Sequence, residues 1–366
     1  MSDILVTGAS GFIGQFLILA LVKKGHKVFA LFRKPEQQYP KLIEWLAAKG
    51  VTQAEIVPIQ GDLSFQNVGI SSESWQKMAN VSVIYHSAAM FGWNLSEQQA
   101  RQVNVKGVLE LLTLAQQQLK LKQVVQVSGY MLTMHKHLQQ LGIRGLAENA
   151  NWAKIYQQIG VYEASKIEAH FAIKRLSQAL NIPLTVIHPA TVIGDGQQGE
   201  LASQQPFYQT LVDLIAGKLF AVPSGQGYRL PLVGVDYLTQ FMANVINYPQ
   251  SIGQEYVLAD NATPNLKQVL TVCAEAIAVK PPVLSIPIPV LKCVLAIDFI
   301  AKKVGMSTEM LHFFRQESLV VEPTQQLASM MGLTLPNLAQ SLKQTAKFVK
   351  SREVESRQSL VLAKAS

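Results

Sequence analysis

The sequence predicts an α/β protein with a doubly wound parallel sheet, joined to a smaller, mainly helical C-terminal lobe. Short runs rich in Val and Ile alternate with segments of helical period through the first half of the chain. These runs are apolar on both faces, which is typical of buried parallel strands. The chain has 366 residues, whereas a single hydrophobic core stops growing near roughly 250 to 300 residues. A second lobe is therefore expected.

The first half contains six predicted strands. They are Ile4 to Thr7, Lys27 to Phe32, Ala54 to Gln60, Val81 to Ser87, Gln123 to Val127 and Leu184 to His188. Two later runs, 230–235 and 255–258, flank a predicted helix around 237–247, so the chain is expected to return to the sheet there. The predicted sheet domain is 1–195 with 230–260, the predicted second lobe is 196–229 with 261–352, and a polar tail follows at 353–366.

The amino-acid composition and net charge argue against several classes of function. The chain is 49% hydrophobic and 15% charged, which is typical of a compact globular protein. Its net charge of +8 is spread along the sequence without a dense basic run, so no nucleic-acid partner is predicted. Cys273 and Cys293 are expected to be small core side chains, and no metal site is predicted. We expect a cytoplasmic protein, because the N-terminal residues lack a basic segment followed by a long apolar run. No transmembrane segment is expected, because Pro287 to Ile300 is shorter than the ~20 residues of a spanning helix.

A glycine-rich segment follows the first predicted strand and opens a predicted helix at 12–24. Its spacing is G-x-x-G-x-x-G. Glycine allows a tight turn and a close approach of the backbone to a pyrophosphate, and a helix N-terminus offers N–H donors to the same anion. The predicted cofactor-binding residues of this segment are Thr7, Gly8, Ser10, Gly11, Phe12, Ile13 and Gly14.

The end of the second predicted strand indicates which dinucleotide binds. An NAD site has an Asp or Glu about 20 residues into the unit, where it binds the ribose 2′-hydroxyl. Here Arg33 and Lys34 follow the strand, and the first carboxylate is Glu36. Because cations pair with a 2′-phosphate, the sequence predicts NADP(H) with Arg33 and Lys34 at that phosphate.

Tyr162 and Lys166 lie at the start of a predicted helix that continues to about residue 180. Their i, i+4 spacing puts them on one helical face. An ammonium at this position is expected to lower the pKa of the tyrosine from ~10 and to bind ribose hydroxyls. The pair predicts an oxidoreductase in which Tyr162 protonates a carbonyl oxygen as hydride arrives.

The order of the motifs resembles that of the extended short-chain dehydrogenases/reductases. The matching segments are TGASGFIG at 7–14, GDL at 61–63, HSAA at 86–89, NVKG at 104–107, YEASK at 162–166 and HPATVIG at 188–194. Within that superfamily, LFR at 31–33 and YHSAA at 85–89, with Phe91 and Trp93 following, resemble the thioester-reductase and fatty-acyl-reductase branch. The resemblance implies a Rossmann fold and a nicotinamide-dependent reaction.

The resemblance also implies further cofactor contacts. Asp62 and Leu63 are implied at the adenine, Ala88 and Ala89 along the cofactor, and Pro189 near the nicotinamide.

At the end of the fifth strand the sequence departs from the pattern of its relatives, which commonly have consecutive Ser or Thr residues there. Ser128 is implied as the hydroxyl that binds the substrate carbonyl, but Gly129 occupies the position that often carries this group. Tyr130 and Thr133 therefore remain alternatives. His188 stands where many relatives have arginine, and both His86 and His188 are interpreted as hydrogen-bonded histidines at strand ends.

The expected substrate-covering segments are apolar. They comprise Phe207, Leu211, Leu214, Ile215, Leu219 and Phe220, and then 283–300. They favour a small-molecule partner with an apolar carbonyl or acyl thioester, although the same residues would also serve as the core of the lobe.

Two other functions remain open, a nucleotide-sugar epimerase or dehydratase and a non-catalytic NADP-sensing regulator. Retention of YEASK counts against the regulator. A homodimer is also compatible with the sequence.

Overall fold

The computed structural model describes residues 1–92, 95–219, 221–225, 228–295, 314, 316 and 318–365. The described strands are β1 (Asp3–Thr7), β2 (Lys27–Phe32), β3 (Ile56–Gln60), β4 (Val81–His86), β5 (Gln123–Val127), β6 (Leu184–Pro189), β7 (Thr191–Ile193), β8 (Ala221–Ser224), β9 (Leu232–Gly234), β10 (Glu255–Leu258) and β11 (Leu284–Pro287). The described α-helices are α1 (Phe12–Lys23), α2 (Pro35–Ala48), α3 (Ser72–Lys77), α4 (Glu97–Arg101), α5 (Val108–Gln118), α6 (His135–Gln140), α7 (Trp152–Ile159), α8 (Val161–Leu180), α9 (Pro206–Ile215), α10 (Val235–Val245), α11 (Leu266–Ala276), α12 (Ile288–Leu295), α13 (Glu322–Met330) and α14 (Leu338–Ala365).

Seven of the described strands form one sheet in the order β10-β6-β5-β4-β1-β2-β3. The pairings of β1 with β2 and β4, of β2 with β3, of β4 with β5 and of β5 with β6 are all parallel. The strand order reverses beside β1, and ligands of such sheets bind at the carboxyl edge near that switch point. The predicted doubly wound fold is therefore confirmed.

The sheet is buried because its strands are apolar on both faces. Leu5, Ile84 and Val124 on three adjacent strands are fully buried. They belong to one hydrophobic cluster with Leu112 of α5 and Ile173 of α8. Burying side chains of this size stabilises the fold by about 1.5–3 kcal/mol each.

Polar side chains join the segment 239–257 to the sheet. The Gln123 amide donates to Thr185 Oγ1 at 2.7 Å and to Ser251 Oγ at 2.9 Å. The Tyr85 hydroxyl donates to the Met242 carbonyl at 2.7 Å. A buried polar group costs free energy unless it has a partner, so these bonds fix where the returning segment lies.

The chain divides into two compact units. The first comprises Met1–His188 with Thr239–Val257, and the second comprises Pro189–Leu238 with Leu258–Ser366. The expected return to the sheet is confirmed for β10, which joins the seven-stranded sheet, but not for β9, which pairs with β7 in a separate two-stranded sheet. An apolar run specifies a strand, but its hydrogen-bonding neighbour is chosen by contacts distant in sequence.

The apolar residues of the second unit that were expected to cover the substrate differ in their burial. Phe207, Leu211 and Leu214 are buried, so these three side chains form part of the core of that unit. By contrast, Val283, Leu284 and Val290 are 73%, 56% and 52% exposed. Phe220 and 296–300, which were also expected to cover the substrate, lie outside the described residues, as does Trp93.

Two further expectations about the second unit need correction. Cys273 is buried as predicted, but Cys293 is exposed on α12. The segment 353–366, predicted as a polar tail, continues α14 as far as Ala365. Polar composition alone does not distinguish a solvated helix from an irregular tail. Within the described part of the chain, no helix is both long enough and apolar enough to cross a membrane.

Candidate functional site

The turn between β1 and α1 is held by close backbone contacts. Gly8 has φ +69°, and a Cβ there would lie 2.8 Å from the Ala88 nitrogen. A Cβ on Gly14 would lie 2.1 Å from the Gly8 carbonyl oxygen, closer than atoms can approach. Among the described residues, no side chain caps α1, and its first turn carries no acid. The helix N-terminus therefore favours an anion.

The end of β4 is tied to this turn by Thr7. The Ala88 nitrogen donates to Thr7 Oγ1 at 3.3 Å, and the Ser87 hydroxyl donates to the Thr7 carbonyl at 2.8 Å. Thr7 Oγ1 also lies 2.9 Å from His86 Nδ1. Burial, together with the charge of Lys166, lowers the pKa of His86 to about 3. His86 is therefore a neutral, hydrogen-bonded histidine at a strand end, which confirms its interpretation.

Gln38 connects the glycine-rich turn to the end of β2. Its Nε2 donates to Ser10 Oγ at 2.8 Å, and its Oε1 accepts from the Lys34 nitrogen at 2.9 Å. Arg33 and Lys34 are both exposed. Sequence reasoning did not single out Gln38. The available signal was its spacing from Lys34, the residue that precedes α2. Gln38 follows Lys34 by four residues, and a side chain at that position reaches back over the first turn of the helix.

The adenine-side candidates lie in the turn after β3. Asp62 Oδ1 accepts from the backbone nitrogen and the hydroxyl of Ser64, at 2.9 and 2.7 Å. Leu63 is 5% exposed. A Cβ on Gly107 would lie 2.2 Å from the Leu63 carbonyl oxygen, so this turn packs directly on the segment that leads into α5. Of the remaining candidates, Ala89 is exposed, and Pro189 ends β6 as the first residue of the second unit.

The Tyr162 and Lys166 pair lies in the first turns of α8. Lys166 is buried, and its Nζ donates to the Val127 carbonyl at 3.0 Å. Tyr162 is partly exposed, and its ring meets the Phe91 ring edge-on with centroids 4.7 Å apart. The helix thus brings the lysine to the end of β5, next to Ser128.

Asn104 ties the start of α8 to the loop after β4. Its Oδ1 accepts from the Met90 nitrogen at 2.6 Å, and its Nδ2 donates to Ser165 Oγ at 3.0 Å. Ser165 in turn donates to the Tyr162 carbonyl at 2.9 Å. The NVKG segment therefore has a positioning role that its sequence pattern alone did not reveal.

The electrostatics of the pair differ from the sequence-based expectation. Burial and the Glu163 carboxylate raise the pKa of Tyr162 to about 12. Burial lowers the pKa of Lys166 to about 8. The predicted lowering of the tyrosine pKa by Lys166 is wrong for this structure, because desolvation of the Tyr162 hydroxyl disfavours the charged phenolate.

Ser128 is 7% exposed, and its nitrogen donates to the Ile187 carbonyl at 2.8 Å. A Cβ on Gly129 would lie 2.4 Å from the sulfur of Met131, so a side chain there would require Met131 to move. Thr133 Oγ1 donates to the Tyr130 carbonyl at 2.8 Å. That hydroxyl proton is committed to the backbone, which counts against Thr133. Ser128 stays the predicted carbonyl-binding residue, with Tyr130 as the alternative.

Two buried acid networks hold α8, and sequence reasoning missed both. Glu168 accepts from Arg101 Nη2 at 2.6 Å and from the Tyr156 hydroxyl at 2.8 Å. His137 Nε2 lies 2.6 Å from Glu163 Oε1. Acidic residues at 163 and 168 in an otherwise buried helical stretch were the available signal, because carboxylates are rarely buried without partners.

Comparison with known proteins finds similar sequences among reductases and polyketide synthases. Fatty acyl-CoA reductase wat of Drosophila melanogaster is 26% identical over 209 residues, 50% of this chain and 38% of that protein. Matches to polyketide synthases of Dictyostelium discoideum cover only 7% of those proteins. The chain therefore spans well under half the length of these curated relatives.

Solved structures share the fold. The terminal R domain from the myxalamid PKS-NRPS biosynthetic pathway superposes with a TM-score of 0.73 and 20% identity, covering 96% of this chain and 91% of that one. UDP-glucuronic acid 4-epimerase from Bacillus cereus, in complex with NAD, superposes with a TM-score of 0.65 and 15% identity, covering 95% and 99%.

The family model described as male sterility protein, NAD_binding_4, matches residues 6–242. This range contains the glycine-rich turn, Ser128 and the Tyr162 and Lys166 pair, and it covers more than half of the chain. The resemblance to extended short-chain dehydrogenases/reductases is thereby confirmed, and the chain belongs to the NAD-binding male sterility protein family.

Proposed function

We propose that the chain is an NADP(H)-dependent oxidoreductase that reduces a carbonyl or acyl thioester of a hydrophobic substrate. The observation that carries this proposal is the bond from Lys166 Nζ to the Val127 carbonyl at 3.0 Å. It brings the Tyr162 and Lys166 face of α8 to the carboxyl end of β5, beside Ser128. In a parallel sheet this edge also carries the glycine-rich turn after β1, so cofactor and substrate groups share one edge.

In the first unit, a side chain at Gly8 or Gly14 would collide with neighbouring backbone atoms, so the turn after β1 is built from closely packed backbone. Such a turn fits a dinucleotide, whose pyrophosphate approaches the backbone closely. We assign the turn from Thr7 to Gly14 to the pyrophosphate, and the exposed Arg33 and Lys34 to a 2′-phosphate. The full proposed set adds Asp62 and Leu63 at the adenine, Ala88, Ala89 and Pro189 along the nicotinamide half, and Lys166 at the ribose. When bound, NADPH supplies a hydride to the substrate carbonyl carbon.

Tyr162 is proposed as the general acid. A pKa of about 12 keeps its hydroxyl protonated near neutral pH. The alkoxide that develops at the substrate oxygen is more basic than a phenolate, so proton transfer from Tyr162 is downhill. Ser128 holds that oxygen by a hydrogen bond, and the Lys166 ammonium stabilises the phenolate that remains.

An acyl thioester would react through the same groups. Hydride adds to the acyl carbon, the carbonyl electron pair moves to oxygen, and that oxygen takes the proton of Tyr162 to give a hemithioacetal. The carbon–sulfur bond then breaks while the hydroxyl proton of the hemithioacetal passes to the departing sulfur, so a thiol leaves and an aldehyde remains. The named activity of the Drosophila reductase, on fatty acyl-CoA, supports this substrate class.

The second unit, taken by itself, has exposed apolar residues in the segment that was predicted to cover the substrate. Val283, Leu284 and Val290 lie on or next to β11 and α12 and are more than half exposed. Phe207, Leu211 and Leu214 are excluded from this role, since they are already packed in the core.

A chain-length series of acyl-CoA substrates tests the proposal. Each added methylene should contribute ~0.8 kcal/mol, so kcat/KM should rise about threefold to fourfold per carbon until the apolar surface is covered. Leu284→Asn should flatten this rise, whereas Val320→Asn, at an equally exposed apolar position elsewhere in the unit, should not. Equal kcat/KM across the series would contradict the substrate assignment. Activity on nucleotide sugars alone would favour an epimerase or dehydratase.

A further inference from the structure

His188 is a fully buried histidine with a hydrogen-bond partner at each ring nitrogen. Nδ1 lies 2.9 Å from the Gly129 carbonyl oxygen, and Nε2 lies 2.7 Å from Glu255 Oε2. A carbonyl oxygen and an ionised carboxylate accept hydrogen bonds and do not donate them. Both contacts are therefore hydrogen bonds at the same time only when each ring nitrogen carries a hydrogen.

The carboxylate partner of His188 has a second cationic neighbour. Glu255 Oε1 accepts from Lys174 Nζ at 2.6 Å. Burial acts to raise the pKa of the Glu255 carboxyl, but the hydrogen bonds from His188 and Lys174 lower it overall below its usual range. The carboxylate thus stays ionised between two cationic donors.

His170 completes the cluster as a neutral ring. Its Nε2 lies 3.9 Å from Glu255 Oε2. Burial and the charge of His188 lower the pKa of His170 to about 3. Among the described residues, the titratable groups around His188 are Glu255 on β10 and His170 and Lys174 on α8. Lys166, on the same helix, also lowers the pKa of His170.

A metal ion is the competing explanation, since ligand atoms of His170, His188 and Glu255 all lie within 4.8 Å of one another. The distances favour an ion pair. Nitrogen and oxygen ligands of a tetrahedral zinc ion lie about 3.3 Å apart, given metal–ligand bonds near 2.0–2.1 Å, whereas His188 Nε2 and Glu255 Oε2 are 2.7 Å apart. The Lys174 ammonium already neutralises the carboxylate and would repel a dication.

We propose that His188 is a positioning residue: as an imidazolium paired with Glu255, it fixes the Gly129 carbonyl and so orients the backbone that carries Ser128. The Val127 carbonyl, on the other side of Ser128, is held by Lys166 at 3.0 Å. Two buried side chains thus hold the carbonyl of the residue before the serine and the carbonyl of the residue after it. The importance of this arrangement for turnover rests on the proposed function, whereas the charge state of His188 does not.

The charge state is tested by NMR on the full chain labelled with ¹⁵N-histidine. At about pH 7, the His188 resonances, assigned from their loss in His188→Gln, should show hydrogens on both ring nitrogens. His170, assigned with His170→Asn, should be neutral and provides an internal reference. A neutral His188 ring would overturn the proposal. So would loss of the Nε2 hydrogen when one equivalent of Zn²⁺ is added, because that outcome identifies a metal site.

Glu255→Gln tests the positioning role while preserving side-chain volume. The His188 ring should become neutral, and the backbone amide resonances of Ser128 and Gly129 should shift. Lys174→Met is the matched control, because it removes the outer cation and leaves the bond between His188 and Glu255. It should preserve both the imidazolium and the amide positions.

Kinetics separate this inference from the proposed function. In Glu255→Gln, kcat for thioester reduction should fall about tenfold with KM for NADPH unchanged, while Lys174→Met stays within about twofold of wild type. A neutral ring with unmoved amides and unchanged kcat would refute the positioning role. Absence of thioester reduction in the wild type would refute the proposed function, and the ring and amide resonances would still decide the inference.

Discussion

The two parts of the proposed site are built on different physical principles. In the turn after β1, three glycines within seven residues bring backbone against backbone, with the Gly11 nitrogen donating to the Gly8 carbonyl at 2.9 Å. Around Ser128, charged side chains arrive from positions far along the chain. Lys166 reaches the Val127 carbonyl across 39 residues, and His188 reaches the Gly129 carbonyl across 59.

This difference determines how each region can fail. The turn tolerates no added volume, so its failures are steric and local. The surroundings of Ser128 depend on buried charges that are matched by partners, and removing one partner leaves the other unbalanced in a medium of low dielectric constant. Substitutions should therefore change fold and cofactor binding in the first region, and rate and pH dependence in the second.

The largest effect is expected from Tyr162→Phe. Removing the proton donor should lower kcat by ~10²- to 10⁴-fold, with the NADPH dissociation constant unchanged because the ring and its contact with Phe91 remain. Steady-state kinetics and fluorescence titration measure the two quantities. Tyr208→Phe removes a hydroxyl in the second unit and should leave kcat unchanged. A wild-type kcat in Tyr162→Phe would eliminate the tyrosine as the acid.

Gly14→Ala should reduce the free energy of unfolding by about 3 kcal/mol, because the new Cβ would collide with the Gly8 carbonyl oxygen. Urea denaturation measures this loss. Gly11→Ala is the matched control, since its Cβ would lie 3.2 Å from the same oxygen and requires only a small adjustment. Equal losses in the two variants would show that the close packing of β1 and α1 does not determine where the turn can accept a side chain.

Lys166→Met should change how stability depends on pH. Burial lowers the pKa of Lys166 from 10.5 to about 8, so between these values the unfolded chain binds more protons than the folded one. The free energy of unfolding of the wild type should therefore gain roughly 3 kcal/mol from this group as pH rises through that window. The variant should lack this gain when urea denaturation is repeated across the window. Parallel profiles for the two proteins would contradict the buried-charge description.

The smallest effect is expected from Arg33→Ala, at the proposed 2′-phosphate contact. Arg33→Ala should weaken NADPH binding about tenfold, equivalent to 1.4 kcal/mol, and leave NADH binding unchanged, because only the 2′-phosphate loses a partner. Titration with both dinucleotides measures the difference. Arg144→Ala, at another exposed arginine of the first unit, should alter neither affinity. Similar weakening for NADH and NADPH would rule out the 2′-phosphate assignment.

Much of the fold and of the first region could be predicted from the sequence. The strands β2, β5 and β10 have their predicted limits, and α1 begins at the predicted Phe12. Apolar periodicity and glycine spacing are local signals, so a window of ten to twenty residues contains most of the information. The pairing partner of β9 could not be predicted, because it depends on which distant strand is free to accept its hydrogen bonds.

The sequence by itself determined the parallel sheet, the glycine-rich turn and the face shared by Tyr162 and Lys166, since each follows from the repeat of a single strand, turn or helix. Only the tertiary structure decided that Tyr162 has a raised pKa, that Gln38 joins the turn to β2, and that His188 pairs with Glu255 67 residues away. Desolvation and hydrogen bonding depend on what encloses a group, and those neighbours come from distant parts of the chain.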